Sequence, residues 1–117
     1  MAARGRRYAR DDGGGTVDLQ HWRWGSVQTL DVSDSSARTA TPLTGTAVFV
    51  LPDVDVRLRM GDDQVAAGAV DPPLLAGGLY RFPRAVGETH LAVVARVGGE
   101  TGEVEVFEAD RFVEDRG

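Results

Sequence analysis

The pattern of apolar and polar residues in the stretch 46–70 is the one around which the rest of the chain is organised. In residues 53–60 the apolar side chains fall on one face and Asp or Arg falls on the other. The apolar positions are Val54, Val56, Leu58 and Met60. This period of two is typical of a β-strand with one face on a core and one face in water. Gly61-Asp62-Asp63 follows with residues favoured in tight turns. We therefore predict two or three strands here, joined by tight breaks.

Further strands are predicted on both sides of this stretch. Residues 16–32 alternate before and after Gly25, and residues 79–82 form a short apolar run closed by Pro83. Residues 89–97 are almost continuously apolar, which indicates a central strand covered on both faces. A glycine-rich turn then leads into residues 103–107, where valines alternate with glutamates. This last pair of segments predicts a β-hairpin.

The fold class follows from the number and spacing of these segments. No stretch repeats apolar residues at the helical spacing over three turns, whereas strands with Gly and Pro between them recur throughout. We predict an all-β protein with about seven to eight antiparallel strands in a single small β-sandwich or barrel. Residues 1–15 are predicted to be a flexible Arg/Gly-rich arm, and residues 16–117 a single domain with core hairpins at 46–108.

Composition narrows the class of function. The net charge of −5 argues against a surface devoted to nucleic acid or to an anionic membrane. No window approaches the length of a membrane span, and no apolar segment of a secretory signal follows the first arginines. The chain has no Cys and no Lys, since all 13 basic residues are Arg. Thiolate, disulfide, Schiff-base and P-loop chemistry are therefore excluded.

The arm carries the densest positive charge in the chain, at Arg4, Arg6, Arg7 and Arg10. It is either a solvated tail or an extension that orders on an acidic neighbouring surface. Direct binding to nucleic acid is a third interpretation, although Tyr8 is the only aromatic residue available to stack on a base.

Both tryptophans stand close together, in His21-Trp22-Arg23-Trp24. Trp22 and Trp24 share one face of a strand, where they either close the end of the core, anchor a partner protein or stack on a sugar ring. His21 is interpreted as a packed or half-exposed strand residue rather than a ligand, because the only other histidine is far away in sequence.

The sequence gives little evidence for catalytic residues. Gly61-Asp62-Asp63 matches a polymerase triplet but lies where a turn is needed, and no serine has the context of a nucleophile elbow. The last hairpin carries a predicted solvated acidic face, formed by Glu100, Glu103, Glu105 and Glu108. Because its charge is opposite to that of the arm, one subunit's arm is a candidate ligand for its neighbour's hairpin. We expect no catalysis, no metal, no cofactor and no small-molecule substrate.

Residues 46–107 resemble a class of small virion proteins of tailed bacteriophages. The shared pattern contains an apolar strand, a Val-Asp-Val-Arg-Leu-Arg strand, a Gly-Asp turn and a Leu-Ala-Gly-Gly element before residues 79–82. It closes with residues 90–95, a Gly-rich turn and residues 102–106. The arm and the tryptophans lie outside the pattern.

The resemblance implies a capsid decoration, or cement, protein that binds and stabilises the head shell by many repeated contacts. Its expected partners are the major capsid protein and other copies of itself, and its expected location is the virion, assembled in the host cytoplasm. Arg4, Arg6, Arg7, Arg10, Trp22 and Trp24 are the expected interface residues. The alternatives are a neck or tail component, and a carbohydrate-binding module that uses Trp22 and Trp24.

Overall fold

The computed structural model of the protein describes residues 19–112. Within this range the chain forms nine strands and no helix, and every strand pairing is antiparallel. The strands are β1 (Leu19–Trp22), β2 (Gln28–Val32), β3 (Ala37–Arg38), β4 (Ala47–Pro52), β5 (Val56–Gly61), β6 (Pro73–Leu74), β7 (Tyr80–Pro83), β8 (His90–Ala95) and β9 (Gly102–Phe112). They form two sheets, which confirms the predicted all-β fold and is consistent with a small β-sandwich.

The five-stranded sheet is built on β9, the longest strand. Its order is β1-β9-β4-β7, and β2 also pairs with β9. β4 occupies one edge of β9, so β1 and β2 follow one another along the opposite edge. β2 pairs with residues 102–106 and β1 with residues 109–112, which leaves a gap beside Phe107 and Glu108. The turn between β1 and β2 lies at this gap.

The four-stranded sheet has the order β3-β8-β5-β6. Its outer face is covered by the segment between β5 and β6, in which Val65 and Ala67 pack on Ala92 of β8. The prediction of a third strand in residues 64–70 is therefore wrong. These residues cover a sheet instead of joining one, which explains why β8 is apolar on both faces.

The main core lies between the two sheets. It consists of twelve buried apolar side chains: Leu30, Val32, Leu43, Val48, Val50, Val56, Leu58, Leu74, Leu91, Val93, Val104 and Val106. Val54 and Met60 pack against it while partly buried, so the alternation in residues 53–60 did identify the core face of β5. Val104 and Val106 point inward, and Glu103 and Glu105 are exposed, as predicted.

The hairpin predicted at residues 89–107 is wrong in its pairing, and the first two strands of residues 46–70 do not form one of the predicted core hairpins either. β4 and β8 belong to different sheets from the strands that follow them, β5 and β9. The two connections cross from one sheet to the other, so the strands of each pair contribute apolar side chains to the shared core from opposite sides. Alternation is the same for edge-to-edge and face-to-face neighbours, and the sequence pattern does not distinguish them.

The described range holds no helix long and apolar enough to cross a membrane. The predicted arm at residues 1–15, with Arg4, Arg6, Arg7 and Arg10, lies outside the described residues.

Candidate protein-binding surface

The outer face of the five-stranded sheet, the face turned away from the core, carries a cluster of stacked aromatic rings. Trp22 at the end of β1 lies with its ring centroid 5.4 Å from that of Phe49 and 5.0 Å from that of Phe107. Phe49 and Phe107 are in register on β4 and β9, and their rings are nearly parallel with centroids 5.4 Å apart. Trp22, Phe49 and Phe107 are called the outer aromatic cluster below. Cross-strand aromatic pairs of this kind stabilise a sheet.

Trp24 extends this cluster into solvent. Its ring centroid is 6.4 Å from that of Trp22, and the residue is 83% exposed against 41% for Trp22. It stands in the turn between β1 and β2, next to Gly25, whose φ of 81° is in the region that favours glycine. The Ser26 N–H closes the turn by donating to the Arg23 carbonyl oxygen at 3.2 Å. Trp24 is therefore an exposed side chain on an ordered backbone.

Arg23 holds this turn on β9. Its Nε donates to Asp110 Oδ2 at 2.8 Å, and a terminal guanidinium nitrogen donates to Asp110 Oδ1 at 3.0 Å, which makes a bidentate pair. The other terminal nitrogen donates to Thr44 Oγ1 and lies 3.7 Å from Glu108 Oε1. The hydrogen bond from Arg23, reinforced by its charge, lowers the pKa of Asp110 below the usual value of 3.8. The guanidinium therefore anchors the turn that carries Trp24 to β9.

Glu108 is the buried acidic residue of this region. Glu108 is 6% exposed, and its Oε1 accepts hydrogen bonds from the N–H groups of Thr44 and Gly45, each at 2.7 Å. The Ser26 hydroxyl oxygen accepts the Glu108 N–H at 3.1 Å, in the gap where β9 has no strand partner on that edge. The interpretation of Glu108 as part of the solvated acidic face is wrong, because Glu108 is buried on the same side of β9 as Val104 and Val106.

The acidic residues that do share the outer face lie at one end of β9. Glu103 and Glu105 are exposed there, and Asp31 of β2 is exposed and directly in register with Glu103. Asp31, Glu103 and Glu105 are called the acidic end below. In residues 19–112 no ion pair involves any of the three. The outer face thus carries aromatic rings in its middle and unneutralised carboxylates at one end.

A concavity lies on the four-stranded sheet, around His90. Its walls include Arg38, Asp63 and Gln64, and His90 is 7% exposed with Nδ1 2.9 Å from Thr89 Oγ1. Within the described residues, no carboxylate forms a hydrogen bond with His90, and no group of three His, Asp or Glu side chains is placed to hold a metal ion. The arrangement offers polar groups but no assembled nucleophile, base and orienting acid.

The sequence identified part of this surface. Trp22 and Trp24 lie close together, but the prediction that they share one face of a strand is wrong, because β1 ends at Trp22 and Trp24 stands in the turn that follows. Trp22 packs on Phe49 and Phe107 on the outside of a sheet rather than at the end of the main core. Phe49 and Phe107 were missed as members of the surface. Phe107 has the same parity as Glu103 and Glu105, so the alternation contained the signal that it faces outward. Comparisons of the chain with protein-family models, characterised proteins and solved structures gave no match.

Proposed function

We propose that this protein is a non-catalytic binding protein that attaches to another protein through Trp24 and the outer aromatic cluster. The observation that carries the proposal is the 83% exposure of Trp24, held beside three stacked rings by a turn anchored to β9. Exposed tryptophans on ordered backbone are typical anchors of protein interfaces, because they bury a large area and lose little conformational entropy.

The specific form that we propose is a decoration protein on the capsid of a tailed bacteriophage, with the major capsid protein as partner. The resemblance of residues 46–107 to small virion proteins supports this form, and so does a small β-sandwich that presents one aromatic face. In such a shell each contact contributes modestly, and repetition over a symmetric lattice makes the attachment stable.

The first test is the copy number of the protein in the phage particle to which the proposal assigns it. A share comparable to that of the major shell protein supports decoration of the capsid. A few copies would assign the protein to the neck or tail, and absence from the particle would refute a virion role.

The second test is the Trp24→Ala variant, assayed by co-sedimentation with particles that lack the protein. We expect the dissociation constant to rise about tenfold, which corresponds to the loss of one interface anchor. Val70→Ala is the matched control, since Val70 is also an exposed apolar residue but lies in the segment over the other sheet. Wild-type binding by Trp24→Ala would refute the proposed surface.

Carbohydrate binding is the second candidate, because one shallow concavity is lined by Trp22, Trp24 and Glu105. An indole beside a carboxylate can stack on a sugar ring and bind its hydroxyl groups. Titration with a panel of sugars, followed by tryptophan fluorescence, tests this candidate. A change that is lost in Trp24→Ala supports it, and a flat response throughout the panel counts against it.

A further inference from the structure

We infer that the outer face of the five-stranded sheet recognises an extended, arginine-bearing segment of its partner protein, with Glu103 and Glu105 binding the arginines beside Trp24. This inference rests on the proposed function, in that the same face binds a protein, and it adds the chemistry of the segment that is bound.

The first argument is that two concavities meet at Glu105. One is lined by Trp22, Trp24, Val27 and Phe107 together with Glu105. The other is lined by Glu103 and Glu105 together with Leu51, Pro52, Asp53, Ala76 and Gly77. Glu105 therefore borders both an aromatic concavity and an acidic concavity on the same face, and the two together are called the groove below. A segment lying in this groove meets an apolar surface and carboxylates in succession.

The second argument is an unfavourable charge pair within the sheet. Asp31 and Glu103 are directly opposite in register on β2 and β9, and both are exposed on the outer face. Like charges in this position destabilise a sheet. The arginines nearest on this face do not neutralise them, because Arg81 is in register with Phe49 and Arg111 with Gln20, farther along the sheet. A bound cation would relieve the repulsion, so the acidic end favours a cationic ligand.

The third argument is the spacing of the carboxylates. Glu103 and Glu105 are alternate residues of one strand, so their side chains are about 6.6 Å apart along it. An extended peptide presents alternate side chains at the same interval, and an Arg-x-Arg sequence therefore matches the two carboxylates. Arginine fits better than lysine, because its planar group binds a carboxylate through two hydrogen bonds and also stacks on an indole such as Trp24. Nucleic acid does not fit, since its phosphates would meet three carboxylates.

The test uses the full chain and a blocked peptide of sequence Arg-Thr-Arg-Thr-Leu, titrated to millimolar concentration. The matched control peptide has citrulline at both arginine positions, which keeps the shape and removes the charge. Binding is followed by NMR, through the backbone amides and through the indole signals of the only two tryptophans. We expect the arginine peptide to shift the Trp24 indole and the amides of residues 103–105, and the citrulline peptide to shift neither.

Two variants locate the contact. Glu105→Gln should weaken binding of the arginine peptide about threefold, as expected for an exposed ion pair. Asp63→Asn removes the same charge from the concavity around His90 and should leave the affinity unchanged. Equal binding of both peptides, no binding at millimolar concentration, or shifts that map away from the acidic end would each overturn the inference.

Failure of this inference and failure of the proposed function give different results in the two tests. If Trp24→Ala loses attachment to particles while the arginine peptide does not bind, the face binds a protein of other chemistry and only this inference fails. If the peptide binds at Glu105 while Trp24→Ala attaches normally, the arginine-binding site is supported and the proposed role of Trp24 as the anchor fails.

Discussion

Removal of the buried Glu108 carboxylate is expected to be the most destabilising single change at the turn that presents Trp24. In Glu108→Ala the Thr44 and Gly45 N–H groups lose their acceptor, Oε1, which both now reach at 2.7 Å. Arg23 keeps its bidentate pair with Asp110, so the loss of its 3.7 Å approach to Glu108 contributes little. The cost therefore comes mainly from the two backbone donors.

The magnitude follows from where those donors lie. Gly45 is buried, and leaving its N–H without a partner costs about 1–3 kcal/mol. Thr44 is exposed, so water replaces part of its hydrogen bond, and the net loss there is about 1 kcal/mol. Removal of one buried methylene group adds about 0.8 kcal/mol. The sum is about 3–5 kcal/mol, a large part of the roughly 5–15 kcal/mol that stabilises a typical domain.

Chemical denaturation followed by the fluorescence of Trp22 and Trp24 measures this free energy of unfolding. Glu108→Gln keeps an oxygen at the acceptor position and should cost only about 1–2 kcal/mol, because the hydrogen bonds lose the assistance of the negative charge. Glu105→Ala is the control on the same strand, since its exposed side chain should change stability by no more than about 0.5 kcal/mol. A loss below about 1 kcal/mol in Glu108→Ala would refute the assignment of Glu108 as the acceptor for both donors.

Two further predictions concern Asp110 and Gly102. The folded pKa of Asp110 is below its unfolded value, so its carboxylate stabilises the fold above the usual pKa of 3.8, and this contribution is lost as the pH falls through the folded value. Arg23→Gln should raise the pKa of Asp110 and flatten the pH dependence of stability in that acidic window, as measured by NMR titration and by denaturation at several pH values. A Cβ at Gly102 would overlap Asp53 Oδ1 and lie 2.7 Å from Val54 Cγ1, so Gly102→Ala should destabilise by about 1–3 kcal/mol. Gly98→Ala meets open space and should be neutral in the same denaturation assay, and equal effects of the two changes would show that steric overlap is not the cause.

The sequence predicted where the strands lie and which side chains face the core better than it predicted which strands pair with each other. Alternation in residues 53–60 and 103–107 identified which side chains of β5 and β9 face the core, because a strand between core and water requires it. It did not identify the sheets, because β8 and β9 are adjacent in sequence but pack across the core. The strand that pairs with β8 on one edge is β3, which has only two residues and no detectable pattern.

The candidate surface was also predicted only in part. The tryptophans were identified by their residue type and spacing, and the structure adds the rings of Phe49 and Phe107 beneath them. Phe49 stands in the apolar run of β4, where every neighbour is also apolar, so no alternation marks it as outward-facing. Glu108 was assigned to the wrong face although it alternates with Val104 and Val106 in the sequence. Its role as a hydrogen-bond acceptor could not be predicted, because Thr44 and Gly45 lie more than sixty residues earlier in the chain.

The register of β1 on β9 determines where the two ends of the described chain lie relative to the acidic end. Leu19 lies opposite Phe112, so the two ends of the described chain meet at one corner of the five-stranded sheet. Glu103 is nine residues from Phe112 along β9, which places the acidic end about 30 Å from that corner. A surface linked to either end would therefore hold the sandwich by the same corner and leave the acidic end of the groove directed away from the point of attachment.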